Sequence, residues 1–70
     1  MENILVIDDD EQLTELLEEF LSSFNYKIYS KHTPEAGLAC IDNNKIDLIV
    51  LDIMLPGMDG FQVLRKIRET

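Results

Sequence analysis

Two short runs of apolar residues limit the folds that are open to this 70-residue chain. Residues 4–7 read ILVI, residues 48–51 read LIVL, and an aspartate follows each run directly. Uninterrupted runs of this length are typical of parallel strands that are covered on both faces of a sheet. Because an ionised carboxylate is costly to bury, each aspartate should stand at the carboxyl end of its strand, in contact with solvent. We therefore predict two central strands, each buried on both faces.

The segment after the first run predicts an amphipathic helix. Its apolar residues recur at intervals of three and four, which places them on one stripe. They are Leu13, Leu16, Leu17, Phe20, Leu21 and Phe24. Asp9 or Asp10 can cap the amino end of this helix. Asn25 is suited to end it, because asparagine tolerates the left-handed backbone conformation.

The rest of the chain alternates between strands and helices. Residues 26–31 predict a strand that is more polar than the other two, and we therefore place it at an edge of the sheet. Thr33 as N-cap and Pro34 in the first turn predict a second helix, and Asp59 is the expected N-cap of a third. Within one domain over residues 1–70, the predicted strands are 3–8, 26–31 and 47–52, and the predicted helices are 10–23, 34–43 and 60–69.

This βαβαβα order predicts an α/β fold. Strands that alternate with helices form parallel sheets with right-handed crossovers. The two apolar strands should be neighbours, with the polar strand outside the first, which gives the spatial order 2-1-3. Ligands of such sheets bind beyond the carboxyl ends of the strands, at the point where the strand order reverses.

Three aspartates should meet at that point. Asp8 and Asp9 follow the first apolar strand and Asp52 ends the third, and neighbouring parallel strands lie about 4.8 Å apart. Carboxylates this close repel one another unless a cation neutralises them, and Mg²⁺ is a hard ion that takes carboxylate, carbonyl and water oxygens. We expect Asp9 and Asp52 as direct ligands, Asp8 as a ligand directly or through water, and the backbone carbonyl of Met54 as a further ligand. A metal beside Asp52 would permit its attack on phosphorus and an acyl-phosphate product.

Each of these residues also has a simpler interpretation. Residues 8–10 alone could be a solvated turn with a helix cap, and Asp52 alone could be an ordinary acid at a strand end. Together, at the ends of adjacent strands, they favour a metal site. His32 has no cysteine or second histidine near it in sequence, so a surface position is expected. Asp47 should cap the opposite end of the third strand.

Composition excludes several functions for this segment. The formal net charge of −8 argues against nucleic-acid binding here, which needs clustered lysine and arginine. The single cysteine, Cys40, is expected to be a small buried residue and allows no internal disulfide, which favours a reducing cytoplasm. No apolar run approaches the length of a membrane span.

Two longer segments resemble the receiver domain of two-component response regulators. They are ILVIDDD at residues 4–10 and LIVLDIMLPGMDG at residues 48–60, in which Pro56, Gly57 and Gly60 follow Asp52 at the family's spacing. The amino-acid sequence of the second segment is most similar to the same segment of response regulators that carry a winged-helix DNA-binding domain. The resemblance implies a flavodoxin-like fold and an output in transcription.

The resemblance also implies roles for single residues. Asp52 would accept a phosphoryl group from the histidine of a sensor kinase, so the chain is expected to be a phosphoprotein and not an enzyme. Asp8, Asp9, Asp52 and the Met54 carbonyl would hold Mg²⁺. A non-signalling half-receiver with a vestigial acid site is the alternative. A phosphoryl-transfer hydrolase is disfavoured, because such enzymes usually carry a second aspartate at the position of Met54.

The chain departs from the family in extent, because a receiver has five βα units and the match covers three. The serine or threonine that ends the fourth strand, and the lysine that ends the fifth, have no counterpart in these 70 residues. We therefore expect weak Mg²⁺ binding and slow phosphorylation or no stable phosphorylation. The third strand should be an exposed edge and the first helix should keep uncovered apolar surface. Self-association is expected, as a dimer through the third strands or through exchanged elements.

Overall fold

The computed structural model describes residues 2–52 and 60–69. Its elements follow the predicted βαβαβα order, and their ends differ from the predicted spans by one residue at most. They are β1 (Asn3–Ile7), α1 (Glu11–Ser22), β2 (Lys27–Lys31), α2 (Pro34–Asn43), β3 (Leu48–Leu51) and α3 (Gly60–Arg68). Among the described residues, no helix combines the length and the apolar character that crossing a membrane requires.

The three strands form one parallel sheet in the order β2-β1-β3. This confirms the predicted order and the edge position of β2. The central strand is wholly apolar from Ile4 to Ile7, and all four side chains are buried. An apolar strand gains most from the central position, because its neighbours satisfy its backbone on both sides.

One face of the sheet carries the main core. Leu5 and Ile7 of β1 pack there with Cys40 of α2 and Val63 of α3. Gly37 of α2 comes so close to Ile7 that a Cβ on the glycine would clash with the isoleucine side chain. The burial of Cys40 agrees with its prediction as a small core residue. Helices α2 and α3 therefore cover the Leu5 and Ile7 face.

The other face carries α1 alone among the described helices. Because side chains alternate along a strand, Leu48 and Val50 of β3 point to this face, beside Ile4 and Val6 in the sheet register. Ile4 and Val6 are buried, whereas Leu48 is 56% and Val50 is 42% exposed. The prediction that this strand is buried on both faces is wrong for this chain. Among the described elements, α1 makes its main contacts with β2 and not with β3.

Side chains at the helix ends match the predicted signals. The Asp10 carboxylate accepts a 3.1 Å hydrogen bond from the Leu13 N–H and caps α1. Thr33 Oγ1 accepts a 3.2 Å hydrogen bond from the Ala36 N–H at the start of α2. Asn25 follows α1 in the left-handed conformation with φ of 69°, as predicted. The predicted cap of α3, Asp59, lies outside the described residues.

Candidate metal site

Main-chain hydrogen bonds fix two of the three aspartates at the carboxyl edge of the sheet. The Asp8 N–H donates to the carbonyl of Lys31 at 3.0 Å, and the Asp52 N–H donates to the carbonyl of Ile7 at 2.9 Å. Each bond continues the sheet ladder by one residue past its strands, on either side of β1. The backbone of Asp8 is thus held by β2 and that of Asp52 by β1. Neither hydrogen bond depends on the conformation of the aspartate side chain.

The three predicted carboxylates come together. One carboxylate oxygen from each of Asp8, Asp9 and Asp52 can be chosen so that all lie within 4.8 Å of one another. Asp8 and Asp52 are half-buried, and Asp9 is exposed. The cluster therefore opens to solvent on the Asp9 side, where an ion or a phosphoryl group could approach.

The structure separates the roles of the neighbouring acids. Sequence alone left the capping of α1 to Asp9 or Asp10, and the carboxylate of Asp10 makes the cap. One oxygen of Asp8 accepts a 3.0 Å hydrogen bond from the Asp10 N–H, which ties the turn together. Asp9 is left beside Asp52 as a carboxylate without a capping role in α1. That Asp9 is a direct ligand stays a prediction.

The donor set fits a hard divalent cation. Oxygen atoms around Mg²⁺ lie about 2.1 Å from the ion, so ligands on opposite sides are about 4 Å apart. The three carboxylate oxygens lie within 4.8 Å of one another, which is close to the spacing of ligands around one ion. Three negative charges this close together also favour a cation. The Met54 carbonyl, the fourth predicted ligand, lies outside the described residues.

Another acid, Asp47, lies at the opposite end of β3, where it stabilises the pairing of two strands. Asp47 Oδ2 accepts a 2.8 Å hydrogen bond from the Asn3 N–H, and the Asp47 N–H donates to the Asn3 carbonyl at 2.8 Å. The Asn3 side chain donates to the carbonyl of Lys45 at 2.6 Å. Asp47 therefore clamps the beginning of β3 to β1, in agreement with its predicted capping role, and takes no part in the acidic cluster.

One polar contact near the site was missed by sequence analysis. Thr14 of α1 is 1% exposed, and its hydroxyl donates to the Glu11 carbonyl at 3.0 Å. His32 Nε2 lies 3.1 Å from the same hydroxyl oxygen, and with the hydroxyl proton directed to Glu11 the Nε2–H tautomer of His32 is the donor in this contact. His32 is thus half-buried and joins the end of β2 to α1, instead of lying on the surface. The sequence offers one indication of this contact. Thr14 is a polar residue on the apolar stripe of the helix, three residues before Leu17 and seven before Leu21.

Comparisons with known proteins agree on one family. The family model of the response regulator receiver domain matches residues 4–70. Regulatory protein VanR of Enterococcus faecium is 41% identical over 68 residues, which make up 97% of this chain and 29% of VanR. Transcriptional regulatory protein AfsQ1 of Streptomyces coelicolor is 41% identical over 70 residues, which make up 100% of this chain and 31% of AfsQ1. The chain therefore spans about 30% of the length of these curated relatives.

Solved structures give the same result. TrrA of Thermotoga maritima, crystallised in complex with Mg²⁺-BeF, has a TM-score of 0.92 and 38% identity over 99% of this chain and 60% of TrrA. TrrA in complex with the histidine kinase ThkA has a TM-score of 0.93 and 37% identity, over 100% of this chain and 60% of that chain. A two-component response regulator of Clostridium difficile has a TM-score of 0.95 and 35% identity, over 99% and 57%.

Proposed function

Because this chain belongs to the response regulator receiver domains, we propose that Asp52 is its phosphoryl acceptor, with Asp8 and Asp9 as ligands of Mg²⁺. The single observation that carries the proposal is the meeting of these three carboxylates within 4.8 Å at the carboxyl edge of the sheet. The Mg²⁺-BeF complex of TrrA supports the choice of ion. The proposed role makes the chain a phosphoprotein and not an enzyme, because its own side chain is the group that is modified.

The donor in this proposal is the phosphohistidine of a sensor kinase. A carboxylate oxygen of Asp52 attacks the phosphorus atom, an O–P bond forms while the P–N bond breaks, and the electron pair returns to the imidazole nitrogen. Mg²⁺ supplies positive charge that offsets the charge of the phosphoryl oxygens. The complex of TrrA with the histidine kinase ThkA supports this kind of donor.

The chain's own residues hold the acceptor ready. The hydrogen bond from the Asp52 N–H to Ile7 fixes the backbone of the acceptor beside β1, and the Asp8 and Asp9 turn is fixed by the hydrogen bond from the Asp10 N–H. The exposed side of the cluster is the Asp9 side, which is the approach for a donor. This preorganisation limits the motion needed before the transfer.

We propose transcription as the output, because relatives such as AfsQ1 are transcriptional regulatory proteins. The DNA contacts would lie outside these residues, since this segment has a net charge of −8. The proposal includes a cytoplasmic location, which the free, buried Cys40 supports.

The acceptor is tested by chemical trapping. The chain is incubated with acetyl phosphate and Mg²⁺, and hydroxylamine converts any short-lived acyl phosphate into a stable hydroxamate that peptide mass spectrometry can locate. We expect slow, Mg²⁺-dependent labelling of Asp52. The Asp52→Asn chain should carry no label. Asp47→Asn is the matched control, because it removes a carboxylate from the other end of β3 and keeps an acceptor for Asn3, and it should label like the unsubstituted chain.

The same experiment separates the alternative function. A half-receiver with a vestigial acid site would show no label at Asp52 and no response of the Asp8, Asp9 and Asp52 amide signals to Mg²⁺ in NMR spectra. A response of these signals to Mg²⁺ without any label would keep the metal site and reject Asp52 as acceptor. Equal labelling of the Asp52→Asn chain would reject the acceptor as well.

A further inference from the structure

The turn that carries Asp8 and Asp9 is tied to β2 at its start. The N–H of Asp8 donates to the carbonyl of Lys31 at 3.0 Å, and Lys31 is the last residue of β2. Asp8 directly follows β1, so this hydrogen bond fixes the point at which the chain leaves the sheet. The position of Asp9, one residue later, depends on where the rest of the turn is held.

The end of the same turn is tied to the residue that follows Lys31. His32 Nε2 lies 3.1 Å from the hydroxyl oxygen of Thr14 in α1. The N–H of Thr14 in turn donates to the carbonyl of Asp10 at 3.1 Å, and the Asp10 carboxylate caps the helix. Lys31 and His32, two consecutive residues, thus hold both ends of the turn, with Asp9 between them.

The contact between Thr14 and His32 is shielded from water. Thr14 is 1% exposed and His32 is half-buried. A hydrogen bond in a poorly hydrated place is stronger than one on the surface. Another hydrogen bond joins α1 to β2 one turn further along the helix, where Ser30 Oγ donates to Glu18 Oε2 at 3.4 Å, but Glu18 is exposed. The stronger of these two bonds is therefore the one next to the acidic cluster.

A shift of α1 would move Asp9. Asp10 is both the N-cap of α1 and the residue after Asp9, so a displacement of the helix along β2 is passed directly to Asp9. Asp52 would not follow, since its backbone is held by Ile7 of β1. The carboxylates of a metal site must keep their positions to within about 0.5 Å. The contact that fixes α1 on β2 therefore also fixes the geometry of the acidic cluster.

We propose that His32 is a positioning residue of the metal site, which acts through Thr14 to hold Asp9 at the distance from Asp52 that one ion requires. This role rests on the proposed function, because it presupposes that these carboxylates bind Mg²⁺. Replacement of residues that orient metal ligands from outside typically weakens metal binding about 10- to 100-fold. The role needs a hydrogen-bond donor at the position of Nε2, and not a histidine as such.

Two substitutions of His32 separate the donor from the volume of the side chain. Leucine fills a similar volume without a donor, whereas glutamine places an amide nitrogen at the position of Nε2. We expect His32→Leu to raise the Kd for Mg²⁺ about tenfold and His32→Gln to restore most of the affinity. The Kd is measured from the amide signals of Asp8, Asp9 and Asp52 in NMR spectra, at a temperature at which circular dichroism shows every variant to be folded. Equal weakening by both substitutions would overturn the proposal.

Two further variants serve as controls. Ser30→Ala removes the other hydrogen bond between α1 and β2, and Thr33→Ala removes the cap of α2, next to His32 in sequence. Loss of the cap should lower the stability of the chain, but both variants should keep the Kd for Mg²⁺ of the unsubstituted chain. If His32 acted only through stability, Thr33→Ala would weaken Mg²⁺ binding as much as His32→Leu does, and this result would overturn the proposal.

A double variant tests the path through Thr14. Thr14→Val keeps the shape of the side chain but has no hydroxyl, and it tests the same contact if His32→Leu fails to fold. If both residues act through one contact, the chain with Thr14→Val and His32→Leu should bind Mg²⁺ no more weakly than either single variant. Losses of affinity that multiply in the double variant would overturn the proposal.

The same titrations distinguish a failure of this proposal from a failure of the proposed function. If the unsubstituted chain binds Mg²⁺ and the single Thr14 and His32 variants bind it equally well, the metal site stands and the role of His32 is rejected. If Mg²⁺ does not change the amide signals of the unsubstituted chain, the metal site is rejected, and the role of His32 with it.

Discussion

The N–H of Asp52 donates to the carbonyl of Ile7, the residue that directly precedes Asp8, at 2.9 Å. This hydrogen bond continues the ladder of β1 and β3 and holds the backbone of the proposed acceptor beside the metal-binding turn. It belongs to the backbone, so a change of the Asp52 side chain leaves it intact. Substitutions of the acids should therefore alter ion binding and charge without moving the strands.

We expect Asp52→Asn to change stability in opposite directions with and without Mg²⁺. Without the ion, removal of one of three crowded negative charges should raise the free energy of unfolding by roughly 1 kcal/mol. With Mg²⁺ at about 100 times its Kd, the unsubstituted chain gains about 2.7 kcal/mol from binding, which the variant largely loses. Urea unfolding followed by circular dichroism, with and without Mg²⁺, measures both. Asp47→Asn is the control, and a loss of stability by Asp52→Asn in the absence of Mg²⁺ would contradict the crowding argument.

Asp9 and Asp10 should separate metal binding from helix capping. Asp10→Ala removes the cap of α1 and should lower the free energy of unfolding by about 1 kcal/mol, whereas Asp10→Asn keeps a capping oxygen and should cost far less. Asp9→Asn should instead weaken Mg²⁺ binding about tenfold or more, with little effect on stability in its absence. Chemical denaturation and calorimetric titration with Mg²⁺ give the two values. Equal effects of Asp9→Asn and Asp10→Asn on Mg²⁺ affinity would show that the roles are not divided.

Thr14→Val should destabilise the chain although its shape is conserved. The substitution removes the hydroxyl that contacts His32 Nε2, and loss of this hydrogen bond at a half-buried site should cost about 1 kcal/mol. Replacement of both partners, Thr14→Val with His32→Leu, should cost less than the sum of the single changes. Urea unfolding of the four chains gives the coupling between the two side chains. Strict additivity would mean that the contact does not contribute to stability.

Gly37→Ala should destabilise the chain through Ile7. Alanine favours a helix over glycine by about 1 kcal/mol, but its Cβ would clash with the Ile7 side chain, and overpacking of a core costs about 1–3 kcal/mol. Ile7→Val removes the closest clashing methyl group and should offset much of this loss in the double variant. Thermal unfolding of the single and double variants tests the expectation. A stabilised Gly37→Ala chain would show that α2 moves away from the sheet at no cost.

The sequence was sufficient for the strand order and for the meeting of the three aspartates, because both depend on short-range signals. The apolar runs before Asp8 and Asp52 identify parallel strands, and the ends of adjacent parallel strands must meet. The exposure of Leu48 and Val50 could not be read from the run LIVL, since burial depends on which elements lie above a strand. The choice of Asp10 over Asp9 as cap depends on backbone angles at a single residue. Thr14 and His32 are far apart in the sequence. They come into contact only because α1 packs on β2, and the sequence does not show that packing.

The ligands of the proposed metal site come from two separate segments of the chain, residues 8–9 and residue 52, and this couples Mg²⁺ binding to folding. These segments are far apart in the chain and meet only when β1 and β3 pair, so the unfolded chain has no preformed site. The measured Kd for Mg²⁺ therefore equals the intrinsic Kd divided by the fraction of molecules that are folded. A substitution that contacts neither the acids nor Ile7 nor the Thr14 and His32 pair can weaken the measured affinity only by lowering that fraction. For such a substitution, a titration with Mg²⁺ therefore also measures the fraction of molecules that are folded.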